Sequence, residues 1–73
     1  MTPAQSRAAR GLLDWTITAA AQRANLNKNT VQRFETGGNV YSDTIRALER
    51  AYVAAGVVFT GKTGVRLDCD DPE

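Results

Sequence analysis

Thr16-Ile17-Thr18-Ala19-Ala20-Ala21-Gln22-Arg23-Ala24-Asn25-Leu26-Asn27-Lys28-Asn29-Thr30-Val31-Gln32-Arg33-Phe34-Glu35-Thr36-Gly37 is the stretch that decides the fold. Thr16 is a cap residue, and the alanine-rich run Ile17 to Arg23 favours helix. Asn25 tolerates the left-handed conformation that ends helices, and Asn27 is a good cap for a new one. The reading is two short helices joined by a turn of about three residues. In the second helix, Lys28 to Glu35, Val31 and Phe34 recur at i, i+3 and point inward. Lys28, Asn29, Gln32 and Arg33 then point outward. Thr36-Gly37-Gly38-Asn39 breaks the helix.

Working outward, Thr2-Pro3-Ala4-Gln5 opens a helix over about 3–13, with Thr2 and Gln5 as a capping box and Pro3 at the first helical position. Ala4, Ala8, Leu12 and Trp15 make its expected apolar stripe, and Trp15 reads as an inter-helix plug. Downstream, Asn39 to Ser42 is loop. Ser42 is the expected cap of a fourth helix whose stripe is Ile45, Leu48, Tyr52 and Ala55, stopped by Gly56. Val57-Val58-Phe59 and Val65-Arg66-Leu67 flank a turn-like Thr60 to Gly64 and read as a hairpin over about 57–67. Gly61 and Gly64 belong to that turn and not to a phosphate loop, which needs a strand-to-helix context and a Gly-Lys-Ser/Thr ending. The expected organisation is one domain over 1–67 and an acidic, flexible tail over 68–73.

The chain has 73 residues, so one domain is expected, and its formal net charge of +1 hides an asymmetry. All nine Lys and Arg precede residue 68 with only four acids, a net of +5, while Asp68, Asp70, Asp71 and Glu73 give the end −4. A basic body is compatible with a polyanionic partner. Cys69 is the only cysteine and there is no histidine, so an internal disulfide and a typical zinc site are not expected. No apolar leader or membrane-length run is present, which points to a cytoplasmic protein without a membrane partner. Without histidine, a metal cluster or paired carboxylates outside the tail, neither an enzyme nor a cofactor is expected.

Short helix, tight turn and short helix with a polar outer face is the helix-turn-helix pattern. Its second helix enters a major groove about 12 Å wide, anchored by apolar residues and presenting donors. Val31 and Phe34 serve as anchors, and Lys28, Asn29, Gln32 and Arg33 as donors; Thr30 lies on the same helix. Arg7, Arg46, Arg50, Lys62 and Arg66 read as solvated surface charge, with Arg7 and Asn39 placed to approach phosphates. Tyr41 is open between a phosphate contact and simple packing.

Residues from about 6 to 56 resemble the lambda repressor and Cro-like helix-turn-helix family. The matching residues are Asp14-Trp15-Thr16, Ala20 to Asn27, and Thr30-Val31-Gln32-Arg33-Phe34-Glu35-Thr36-Gly37; Thr44 to Leu48 and the Ala-Ala-Gly-Val-Val-Phe segment at 54–59 add to it. The resemblance implies five compact helices or four plus an extra element; this chain reads as an all-α, four-helix domain with a short C-terminal β-hairpin. It implies that Lys28, Asn29 and Arg33 read base edges, and that Asn27 and the start of the second helix at Thr16 touch phosphate. It implies an Arg10–Glu35 pair tying the first helix to the third. Two positions depart from the family: Ile17 stands where a polar brace is usual, and Ala20 where leucine is usual. The expected function is a DNA-binding transcriptional regulator, a repressor by its small size, acting on double-stranded operator DNA as a homodimer. The alternative is a protein of the same fold that binds another transcription factor, suggested by Ile17, the acidic tail and a free strand edge.

Overall fold

The computed structural model describes residues 1–67. Helices α1 (Pro3–Leu13), α2 (Ile17–Ala24), α3 (Lys28–Glu35) and α4 (Ser42–Ala54) precede strands β1 (Val57–Thr60) and β2 (Gly64–Leu67). The acidic tail and Cys69 lie outside the described residues.

The first two helix junctions repeat one device. Asp14 (φ 57°) and Asn25 (φ 59°) take the left-handed conformation and end α1 and α2. The Trp15 amide then bonds the Arg10 carbonyl at 2.9 Å, and the Leu26 amide bonds that of Ala21 at 2.8 Å, satisfying carbonyls the helices leave free. One residue later a cap starts the next helix: Thr16 Oγ accepts from the Ala19 amide at 3.0 Å, and Asn27 Oδ1 from the Asn29 amide at 2.8 Å. The residue between, Trp15 or Leu26, packs half-buried against the core. Helix α3 ends the same way on Gly37 (φ 91°), with the Gly38 amide on the Arg33 carbonyl at 2.8 Å.

The buried face of α1 differs from the expected stripe. Ala4 and Ala8 are exposed and Leu12 is 40% exposed, whereas Gln5, Ser6 and Ala9 are buried. The helix is turned by polar partners contributed from elsewhere in the chain. Ser6 Oγ donates to Glu35 Oε2 at 2.6 Å. With that proton committed, the contact at 2.9 Å between Tyr52 and Ser6 has the phenol donating. Arg10 grips both carboxylate oxygens, Nε to Oε2 at 2.8 Å and Nη2 to Oε1 at 2.7 Å, and its Nη1 reaches the Trp15 carbonyl at 3.3 Å. This is the pair that the resemblance implies. Arg7, expected as solvated charge, donates to the Glu35 backbone carbonyl at the end of α3. Glu35 is 4% exposed and Tyr52 fully buried, yet no buried side-chain polar atom among the described residues lacks a partner.

The apolar core is small: Ala9, Ala20, Ala21, Val31, Phe34, Leu48, Tyr52 and Val57. Ala20 and Ala21 bring α2 close to its neighbours, as residues without bulk allow. Trp15 lies 5.8 Å from Tyr52, and Phe59 meets the same phenol ring edge-on at 6.4 Å. Ser42 is the first helical residue of α4 and does not cap it. Tyr41, in an extended conformation, holds the cap position with no side-chain bond, and its backbone carbonyl takes the Thr44 and Ile45 amides. Ala55 is exposed because α4 stops at Ala54; Gly56 (φ 104°) turns the chain so that Val57 takes the buried place.

In the hairpin, Val57 pairs with Leu67 and Phe59 with Val65, so one face is apolar. A two-stranded hairpin is marginal by itself. Here α1 holds its turn: Gln5 Nε2 donates to the Gly61 and Gly64 carbonyls at 3.0 and 3.1 Å, and Thr2 Oγ1 to the Lys62 carbonyl at 3.2 Å. The Gln5 amide oxygen meanwhile accepts from the Thr2 amide at 2.9 Å, completing the capping box. Gly64 has no room for a side chain, since a Cβ would stand 2.6 Å from the Thr60 carbonyl. Among the described residues, no helix is long and apolar enough to cross a membrane.

These bonds have two measurable outcomes. Burial, with the Glu35 charge adding, pushes the Tyr52 phenol up from 10.0 to about 12. The unfolded chain therefore loses this proton first. The associated stability is complete below pH 10 and is lost as pH rises through about 12. Two pK units correspond to about 3 kcal/mol. Urea unfolding from pH 8 to 12 should show the native chain losing roughly that much relative to Tyr52→Phe; parallel curves would refute it. Separately, Gln5→Glu keeps the capping oxygen but turns a carboxylate onto two carbonyls. Amide exchange should then quicken across 57–67 while α2 and α3 keep their protection.

Candidate functional site

Helix α3 advances about 100° per residue, which puts Lys28, Gln32, Asn29 and Arg33 on one arc roughly 140° wide. All four are exposed, Val31 and Phe34 are buried on the other side, and Glu35, at the Lys28 edge of the arc two turns along, is buried beneath α1. Thr30 is half-buried at the margin of the arc. The arc is thus a band of hydrogen-bond donors with no carboxylate. From Trp15 to Ser42 the only acid is Glu35, and Arg10 and Ser6 occupy it. Arg23, Lys28 and Arg33 carry the charge of that segment.

The caps add to the donor surface. Thr16 and Asn27 spend acceptor oxygens on the amides of their helices. The Thr16 hydroxyl proton and the Asn27 side-chain NH₂ stay available for an acceptor outside the protein. Neither helix has an acid in its first turn, so both positive dipole ends are uncompensated there. Asn27, Lys28 and Asn29 cluster at the start of α3. Thr16 stands apart from them, at the far end of α2 from the turn.

The second half of α3 faces the loop that comes after it. Arg33, Thr30 and Asn39 come together with Val40, Tyr41 and Thr44 around a hollow of about 170 Å³, and a second hollow of about 300 Å³ is shared by Arg33, Asn39, Val40 and Tyr41. The Arg33 stem lies over Gly38, where a Cβ would stand 2.5 Å from Arg33 Cγ and 3.0 Å from the Arg33 carbonyl. Gly38 is therefore required by space rather than by φ. Tyr41, open between two roles in the sequence, is 85% exposed beside Arg33 and Asn39. Arg23 lies 5.1 Å from the centre of the Trp15 ring, a cation–π contact that holds it beside the α1–α2 turn. Ile17 is half-buried and packs on the core.

The roles of Gly38 and Tyr41 have no local sequence signal, since both depend on where Arg33 lies. The chain matches no family model and no curated protein.

The two functions of Asn27 separate by substitution. Asn27→Ala removes the cap and should cost about 1 kcal/mol, lowering Tm by roughly 4–8 °C. Asn27→Asp keeps the accepting oxygen and should melt close to the native chain, but it exchanges a donor for a charge that repels anions. Weakened binding to a polyanion in Asn27→Asp, with Tm held, places Asn27 at the interface; unchanged binding removes it.

Proposed function

We propose that this chain is a sequence-specific DNA-binding transcriptional regulator of the lambda repressor and Cro-like helix-turn-helix class, with α3 as the element that enters the major groove. The observation that carries this reading is the exposed arc of α3: four donor side chains, with the Asn27 cap and its spare donor beside them, on a segment whose one acid is buried and occupied. Lys28 and Arg33 suit guanine edges, Asn29 and Gln32 suit adenine. Asn27, Thr16, Thr30 and Asn39 are assigned to phosphates and to the margins of the groove. One eight-residue helix reads only a few base pairs, so the regulator acts as a homodimer on a palindrome with half-sites about 34 Å apart. Repression is the proposed direction.

A second reading keeps the fold and makes another transcription factor the partner. It draws on the hairpin, whose sheet has two strands and leaves outer edges for strand addition. Ile17 gives it less support than its sequence position suggests, because the side chain is half-buried against the core.

A gel shift on DNA upstream of the chain's own gene separates the two. The DNA reading expects sequence-dependent binding that weakens steeply with salt. Arg33→Ala should cost roughly 1–3 kcal/mol and relax base preference at one position. No shift at low salt would sink the DNA reading, and unchanged affinity in Arg33→Ala would misplace the reading face.

A further inference from the structure

The turn that ends α3 is a Schellman motif. The Gly38 amide donates to the Arg33 carbonyl at 2.8 Å, and the Gly37 amide to the Phe34 carbonyl at 3.1 Å. In this motif the residue in the place of Gly38 often sets an apolar side chain against the one in the place of Arg33. Position 38 has no side chain, and the arginine stem fills that space: a Cβ would stand 2.5 Å from Arg33 Cγ and 3.4 Å from its Cδ. Gly38 has no positive φ, so its backbone conformation does not call for glycine. The Arg33 carbonyl, 3.0 Å from the same point, is held by the Gly38 amide and by Thr36 Oγ1 at 3.1 Å. A side chain at 38 is therefore accommodated by moving the Arg33 stem.

The head of Arg33 is treated differently from its stem. Among the described residues, Arg7 and Arg10 are the arginines whose side chains donate hydrogen bonds. The Arg33 guanidinium keeps its five N–H groups free and has no carboxylate within ion-pair distance among those residues. The side chain is exposed, and it borders the hollow that it shares with Asn39 and Tyr41. Packing of the stem thus restricts the side chain without using a donor. An arginine held in this way gives up less rotamer freedom when it meets a ligand.

We propose that Gly38 is a positioning residue for Arg33: the bare backbone at 38 is a shelf that keeps the arginine stem in one conformation while its five N–H groups stay free for DNA. The contribution to binding rests on the reading of α3 given above; the restraint of the stem does not.

The restraint is tested on the free, isotope-labelled chain. Relaxation of the Arg33 Nε–H should show higher order than that of Arg46 and Arg50, which are also exposed. Gly38→Ala should bring Arg33 down to their level. It should also lower Tm, and by no more than about half as much in an Arg33→Ala background, where Cγ and Cδ are gone. Native Arg33 as mobile as Arg46 and Arg50 overturns the proposal, and so does an equal Tm loss in both backgrounds. The contribution to binding is tested on the duplex from upstream of the chain's own gene. Gly38→Ala should weaken binding about threefold to tenfold and relax preference at the same base pair as Arg33→Ala. Added to Arg33→Ala, it should change nothing further; additive losses overturn the proposal. A chain that orders Arg33 through Gly38 but binds no DNA counts against the reading of α3 and for the shelf alone.

Discussion

A single carboxylate organises this fold. Glu35 ends α3, is 4% exposed, and receives Ser6 and a two-pronged Arg10 from α1. Tyr52 of α4 joins the same chain of bonds through Ser6, and Arg7 adds a bond to the Glu35 backbone. Three helices thus meet at one charge. Desolvating a carboxylate and a guanidinium is expensive, and an apolar replacement of the same shape is often as stable. What the arrangement supplies is direction. Two-pronged ion pairing and a serine between two oxygens tolerate little rotation, so the angle of α3 is set from its buried side. Removing one partner alone leaves a buried charge uncompensated, typically about 3–5 kcal/mol in cost.

The helix boundaries are largely legible in the sequence, because they are local chemistry. Asp14 and Asn25 tolerate the left-handed conformation, Thr16 and Asn27 carry capping oxygens, and Thr2 with Gln5 forms a capping box. Each needs only neighbours within a few residues. The buried face of α1 is not legible. Alanines at 4 and 8 with Leu12 form the better apolar stripe, yet Gln5 and Ser6 are the residues inside. Their partners lie 29 to 59 residues away in sequence, at Glu35, Tyr52, Gly61 and Gly64. A pattern that scores polarity puts such residues outside until those partners are known. Ser42 fails as a cap for a related reason: the extended Tyr41, following a Val40 that packs against the core, starts α4 one residue before the serine could cap it.

The candidate site divides along the same line. The outward arc of α3 comes from helical period and from Val31 and Phe34 marking the inside. The surroundings of Arg33 do not, since they depend on Gly38 letting the arginine stem cross the chain and on the loop that brings Asn39 and Tyr41 beside it. Ile17 is instructive in the opposite sense. As a departure from a familiar pattern it suggests an apolar surface, and the packing of α2 turns it half inward instead.

The clasp between α1 and the hairpin turn has a kinetic consequence. Gln5 and Thr2 meet residues 61 to 64 across separations of 56 to 60 residues, which encloses nearly the whole domain in one noncovalent loop. Closing so long a loop is entropically the most demanding contact in the molecule, whereas the helices and their junctions form from short-range bonds. The clasp therefore supplies the longest-range contacts of the described residues, which slow folding as high contact order does, and it couples α1 to the hairpin from the opposite end of the fold.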